Sequence, residues 1–216
     1  MTPNKEDYLK CIYEISVHTK KITNKEIATR MQVSPPAVTE MVKRMIEEGL
    51  IEKDSKAGYL LTDLGLGLVS DLYRKHRLIE VFLLDKLGYT TDQIHDEAEV
   101  LEHTISDLFV ERLNHFLDYP AMCPHGGTIP EKGAILVEKN ALTLDAAREV
   151  GMYQLTRVHD EFELLQYLEK QDLKLGDTIH LTQYDPFTQL YSIETGEKEL
   201  QISSSIAKQL YVDKIS

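Results

Sequence analysis

The residues best suited to chemistry in this 216-residue chain are imidazoles and carboxylates at helical spacing. His95, Glu99, Glu102 and His103 fall at i, i+4, i+7 and i+8, which on one continuous helix is a single face. A solvated helix has no need of two imidazoles and two carboxylates in line. An earlier helical stretch adds His76 and Glu80, again at i, i+4. Nitrogen and oxygen donors of this kind bind divalent cations. His95 and His103 are eight residues apart, roughly 12 Å along a helix axis. Bonds of about 2–2.3 Å do not join both to one ion. Two ions are therefore expected, one at His76, Glu80 and His95, the other at Glu99, Glu102 and His103. Cys123-Pro124-His125 sets a thiol and an imidazole two residues apart on a stiffened segment, and both can face one ion. Which ion they would join stays open.

A second set of residues suits nucleic acid. Ser34, Pro36, Ala37, Thr39, Glu40 and Lys43 lie along the start of one helix. Glu40 can accept from a cytosine amino group, and Pro36 or Ala37 can touch a thymine methyl. Lys25, Arg44, Lys53 and Lys56 are candidate phosphate partners, which position a protein on DNA without reading sequence.

The elements that must hold these residues follow from local grammar. The pattern predicts a first helix over Glu6 to Val17, with Tyr8, Cys11, Ile12 and Ile15 on one apolar stripe, where Cys11 is a buried structural thiol. Thr23-Asn24-Lys25-Glu26 is a capping box opening a second helix to about Met31. After a short turn, Ser34 caps a third helix with Pro35 at its first position, ending at Gly49. Leu50 to Thr62 reads as a β-hairpin. Helix, turn, helix and hairpin make a winged helix-turn-helix, whose third helix enters a major groove while the hairpin follows the backbone.

Thr62 then caps a long helix over Asp63 to Leu87, and another helix is expected from Asp96 to Leu117. Their broad apolar faces (Leu78, Val81, Phe82; Leu101, Ile105, Leu108, Phe109) suit either core or a dimer interface. The stretch 118–133 is a loop or linker, rich in Pro and Gly. Beyond it, short alternating strands and one helix from Asp160 to Gln171 suggest a small β-barrel. The expected architecture is mainly α with a β-barrel: a winged helix-turn-helix over 1–62, a helical metal-binding and dimerisation domain with linker over 63–144, and an SH3-like (FeoA-like) domain over 145–216.

Charge is uneven. Residues 1–75 carry a balance of +1 and the remaining 141 a balance of −13, for a net −12. That excludes a constitutively basic nucleic-acid binder. No apolar run approaches a membrane span, and MTPNKEDYLK has charges where a signal peptide needs an apolar core. Two cysteines are too few for a disulfide framework, so a reducing cytoplasm is expected, with no membrane and no small-molecule partner. An enzyme is not expected either: the donors fill the coordination shells, and no nucleophile or phosphate-cradling Gly-rich loop appears.

Four segments together resemble one known family. VSPPAVTEMVKRMIEEGLI, KHRLIEVFLLDKLG, IHDEAEVLEH and the C-terminal barrel are similar to the metalloregulators typified by the diphtheria toxin repressor and the manganese transport regulator. The likeness spans essentially the whole chain and is nearest the three-domain, manganese-dependent branch of ScaR/SloR-type repressors. It implies an ancillary site at His76, Glu80 and His95, and a primary site at Glu99, Glu102 and His103 joined by Asp7. It further implies a ligand from the C-terminal domain at Asp160 or Glu161. Where the iron-responsive branch has methionine and cysteine, Asp7 and Glu99 are carboxylates, harder donors that favour manganese. Cys123 and His125 depart from the shorter manganese regulators.

The implied function is a manganese-activated homodimeric repressor of palindromic double-stranded operator DNA, controlling metal-ion uptake genes. It would hold two Mn2+ per chain, with Fe2+, Zn2+ or Cd2+ able to substitute. Rival readings are an iron- or zinc-responsive repressor of the same family, and a thiol redox-sensing transcription factor working through Cys123.

Overall fold

The computed structural model describes residues 3–196 and 198–215. The chain packs into two compact units, one formed by 1–76, 102–105 and 130–137, the other by 77–101, 106–129 and 138–216.

In the first unit, helices α1 (Pro3–His18), α2 (Asn24–Arg30) and α3 (Pro35–Glu47) contribute to one core, with α2 packed against both α1 and α3. The Thr23 hydroxyl accepts from the Glu26 backbone, and the Glu26 carboxylate accepts from the Thr23 N–H at 2.8 Å, completing the capping box. Ser34 caps α3 through the Ala37 N–H, with Pro35 opening the helix. Strands β1 (Ile51–Asp54) and β2 (Gly58–Leu61) pair antiparallel as the wing. Leu9, Ile12, Ile27, Val38, Met45 and Ile51 form the shared core, with Cys11 buried among them. The long helix α4 (Asp63–Leu87) begins in this unit. Gly65 belongs there for a steric reason: a Cβ would meet the Leu50 carbonyl oxygen at 2.1 Å. Segment 130–137 is fastened to the same helix by the Leu136 N–H, which donates to the Ser70 hydroxyl at 2.8 Å.

The expected single helix from Asp96 to Leu117 is two helices, α5 (Ile94–Leu101) and α6 (Asp107–Phe116). Ser106 caps the second by accepting from the Phe109 N–H, which restarts the helix instead of continuing it. Glu102 and His103 therefore stand in the break. A single helical face does not carry them beside His95.

In the second unit, β3 (Gly151–Val158), β4 (Thr178–Asp185), β5 (Leu190–Thr195), β6 (Lys198–Ser203) and β7 (Leu210–Lys214) form an antiparallel sheet in the order β6-β5-β4-β3-β7. The short helices α7 (Leu144–Ala147) and α9 (Ser204–Ala207) and the longer α8 (Phe162–Gln171) accompany it. Tyr153, Leu155, Ile179, Leu181, Tyr191 and Val212 make its core, with Leu164, Leu165 and Leu168 of α8. Among the described residues these strands form an open sheet and not the expected closed barrel. Its closing edge is already taken: Thr143 bridges Tyr211, and the Val212 N–H donates to the Leu142 carbonyl at 2.8 Å, so the linker pairs with β7 instead of β6. Asp160 and Glu161 precede α8 and do not belong to it.

Candidate metal centres and nucleic-acid interface

The first unit brings Asp7, Glu102 and His103 together. One donor atom from each lies within 4.8 Å of the others, the spread expected of ligands around one ion at bonds of about 2.0–2.3 Å. Asp7 reaches the cluster from the first turns of α1, because Leu9 and Ile12 on the same helix are locked into the core. His103 Nε2 is 2.9 Å from Asp7 Oδ1 and 3.5 Å from Glu102 Oε1. The other ring nitrogen, Nδ1, donates to Glu6 Oε2 at 2.6 Å. That bond aims Nε2 at the two carboxylates, as carboxylates behind metal-bound histidines do. Glu102 is fully buried, and His76 Nδ1 donates to its Oε2 at 2.6 Å.

The second unit holds a different cluster. Glu80, Cys123 and His125 offer donor atoms within 4.8 Å of one another, as do Glu80, His95 and Asp160. His125 Nδ1 is 3.1 Å from Glu80 Oε1 and 3.3 Å from Asp160 Oδ1, while its Nε2 donates to the Thr91 carbonyl at 3.2 Å. A carbonyl only accepts, so Nε2 carries a proton and Nδ1 is the nitrogen aimed at the carboxylates. His95 Nδ1 lies 2.9 Å from Asp160 Oδ1. Glu161, the other candidate, is exposed at the start of α8. Geometry thus separates two neighbours that sequence spacing leaves equivalent.

Loop 122–128 delivers Cys123 and His125. The Cys123 and Gly127 backbones pair at 2.9 Å, and the Val158 N–H of β3 donates to the His125 carbonyl at 3.0 Å. Gly126 permits that approach: its φ is +80°, and a Cβ would meet the Thr156 carbonyl oxygen at 2.2 Å. Burial pushes the Cys123 thiol up, and Glu80 pushes it further, against weaker opposition from His125 and Arg77. That opposes a free thiolate nucleophile. For His125, burial disfavours the imidazolium, but the Asp160 and Glu80 carboxylates outweigh it and the net shift is strongly upward. A proton therefore holds the place a cation would take.

His76 stands one helical turn before Glu80 on α4, and Glu99 stands in the last turn of α5 with its carboxylate 3.8 Å from His95 Nε2. The residues that sequence reasoning missed are Glu6 and Lys10. Glu6 and Lys10 at i, i+4 look like an ordinary helix-surface pair, and only the tertiary packing turns them toward His103 and Glu102.

The proposed reading helix is α3, and Ser34, Pro36, Ala37, Thr39, Glu40 and Lys43 are all exposed on it or at its cap. Thr39 accepts from the Asn24 amide at 3.0 Å, and the Tyr59 hydroxyl of the wing donates to the same Asn24 at 2.7 Å. The start of α2, the proposed reading helix and the wing are thereby tied together. Glu40 pairs with Arg44, and Lys43 lies 3.9 Å from Glu47. Lys25, Lys53 and Lys56 are also exposed. In the second unit, α6 presents Leu108, Phe109 and Phe116 to solvent, 68%, 48% and 63% exposed. Among the described residues, no helix is long and apolar enough to cross a membrane.

Comparison with known proteins assigns these segments in turn. Residues 1–59 match the family model "Iron dependent repressor, N-terminal DNA binding domain". Residues 62–131 match "Iron dependent repressor, metal binding and dimerisation domain", and 142–214 match the FeoA domain. The chain is 27% identical over 221 residues to the diphtheria toxin repressor of Corynebacterium diphtheriae, across 97% of this chain and 96% of that protein. Among solved structures, ScaR with bound Zn2+ is 66% identical with a TM-score of 0.94, covering 98% of this chain and 100% of that one. ScaR is described as a manganese-activated repressor and is also solved with Cd2+. The manganese regulator SloR is 58% identical with a TM-score of 0.91, and the match covers 100% of each chain.

Proposed function

The chain belongs to the iron-dependent repressor family of metal-dependent transcriptional repressors, and from that premise we propose that it is a manganese-activated homodimeric repressor of palindromic operator DNA, controlling metal-ion uptake genes in the cytoplasm. We take the functional division as 1–62 for DNA, 63–144 for metal and dimerisation, and 145–216 as a supporting domain. The observation that carries this reading is the meeting of Asp7, on the first helix of the DNA-binding segment, with Glu102 and His103 from the helix break.

In this reading Asp7, Glu99, Glu102 and His103 hold the primary ion. His76, Glu80 and His95 hold the ancillary one, together with Cys123, His125 and Asp160. When bound, the primary ion supplies positive charge that the Asp7, Glu102 and His103 donors share. Asp7 thereby anchors α1, and α1 anchors the core on which α3 rests. Holding α3 in place matters because two reading helices of a dimer must be spaced by about one helical turn of DNA, or a multiple. Ser34, Pro36, Ala37, Thr39, Glu40 and Lys43 would read bases, with Glu40 first leaving Arg44. The exposed Leu108, Phe109 and Phe116 face suits the dimer contact. Charge alone is an insufficient switch: two divalent ions per chain leave a net of −12 still well below zero.

Carboxylate donors at Asp7 and Glu99 favour manganese at the primary site. Cys123 beside Glu80 and His125 favours a softer ion, such as Zn2+, Fe2+ or Cd2+, in the second cluster. That observation supports the alternative of an iron- or zinc-responsive repressor. The raised Cys123 thiol disfavours the redox-sensor alternative. We regard the chain as a regulator and not an enzyme, because the clusters fill with protein donors. The test is binding to a duplex selected from a random pool, measured in EDTA and in Mn2+ with reductant throughout. Tight binding only with Mn2+ is expected. Equal affinity in both would sink the proposal.

A further inference from the structure

Lys10 is an unusual neighbour for a cation site. It is 8% exposed, on the same helix as Asp7 and one turn beyond it. Its ammonium nitrogen lies 3.4 Å from Glu102 Oε1 and 5.6 Å from the Tyr73 ring centroid. Glu102 Oε1 is also the oxygen that lies 3.5 Å from His103 Nε2. The oxygen that completes the Asp7, Glu102 and His103 cluster on the His103 side is thus the oxygen that Lys10 faces. The opposite oxygen, Oε2, is engaged by His76 at 2.6 Å.

A buried carboxylate without a cation is costly, and burying a lysine is costly in the same way. Pairing the two is a structural explanation for the metal-free protein. It has a second consequence once a dication enters among Asp7, Glu102 and His103. The ammonium then shares Oε1 with the ion as well as with His103 and stands within a few ångströms of a like charge.

We propose that Lys10 is a tethered competitor for the primary site: it stands in for part of the metal's charge at Glu102 when no ion is bound, opposes the ion when one binds, and so sets how much metal repression requires. This rests on the reading of Asp7, Glu102 and His103 as ion ligands. Removing the ammonium acts twice in one direction. The metal-free state loses an attraction and the metal-bound state loses a repulsion, so affinity for the ion rises on both counts. Charges this close in a buried setting shift equilibria by large factors, and about tenfold or more tighter Mn2+ binding is the expected size. The ring of Tyr73 and the buried stem of Lys10 would accept an uncharged chain of similar length, so packing is largely kept.

The experiment titrates Mn2+ into full-length wild type, Lys10→Met, Lys10→Gln and Lys10→Arg by calorimetry, with thermal unfolding in EDTA and in saturating Mn2+. Lys10→Met and Lys10→Gln should bind the primary ion about tenfold or more tighter. They should also lose Tm in EDTA and gain a larger Mn2+-induced rise than wild type. Lys10→Arg should stay near wild type. If Lys10→Met does not fold in EDTA, Lys10→Gln, which retains a donor for Glu102, decides alone. A merely structural role would lower Tm equally in EDTA and in Mn2+ and leave affinity unchanged or weaker, which overturns the proposal. Glu102→Gln separates the two readings. Unchanged Mn2+ stoichiometry in that variant overturns the site itself. A lost ion together with Lys10 variants that bind as wild type overturns only the competitor.

Discussion

The two donor clusters differ in where their members come from and how deeply they sit. The cluster of Asp7, Glu102 and His103 draws on one end of the chain and a helix break almost a hundred residues later, and its Asp7 side chain is 38% exposed. The cluster of Glu80, Cys123 and His125 is buried throughout, and loop 122–128 is pinned to β3 beneath it. The first uses oxygen and nitrogen donors, with the Lys10 amino group at its edge. The second adds a thiol and a histidine that keeps a proton between carboxylates. A half-open cluster spanning distant segments is suited to report an ion by moving a helix. An enclosed one is suited to hold an ion and stiffen its surroundings.

The sharpest way to break that contrast is Glu102→Gln. It should abolish Mn2+-dependent operator binding, a loss in the range of about 5–150-fold set by usual coupling energies. Gel-shift titration with and without Mn2+ measures it, and a retained response would mean the first cluster is not the switch. Asp7→Ala should leave most of the metal affinity and remove much of the same coupling, because Glu102 and His103 remain while α1 is released. If His76→Ala loses more metal response than Asp7→Ala, the roles given to the two sites are reversed.

Smaller effects should come from the enclosed cluster. Cys123→Ser should weaken Cd2+ binding there by about tenfold or more while changing Mn2+ response little, since oxygen replaces only the soft donor. Equal losses for both ions in calorimetry would contradict the assignment. The pH dependence should also separate the clusters. The upward shift at His125 means the metal-free protein holds that proton at neutral pH, and a bound ion must release it. Affinity of the second cluster should therefore rise with pH, up to about tenfold per unit for one proton released. A pH-independent titration would remove His125 from the ligand set. Last, deleting 145–216 should weaken the metal response and leave the dimer intact, checked by light scattering beside the operator titration.

Much of the first unit was legible in the sequence because its signals are local. The Thr23 capping box, the Ser34 cap with Pro35, and the paired strands of the wing each depend on residues within a few positions of one another. The exposed face of α3 proposed to read DNA follows from the same helical period that buries Val38, Val42 and Met45. The candidate donors could be named from residue type and spacing, though Asp7 and Asp160 came only through family resemblance.

What spacing could not decide was partnership. The helical period continues through Glu102 and His103, so sequence reads one helix. Only the competition between that period and the Ser106 cap, settled by packing, opens the break. Closure of the C-terminal strands was equally hidden, because every strand alternates correctly whether its edge pairs with β6 or with the linker at Leu142 and Thr143. Cys123 and His125 announced a ligand pair, yet their companions Glu80 and Asp160 lie about forty residues away on either side in the chain. Residue types and local spacing determine which groups can bind an ion and which helices can form. Long-range packing decides which groups share an ion, and which of them, like Lys10, stand in its way.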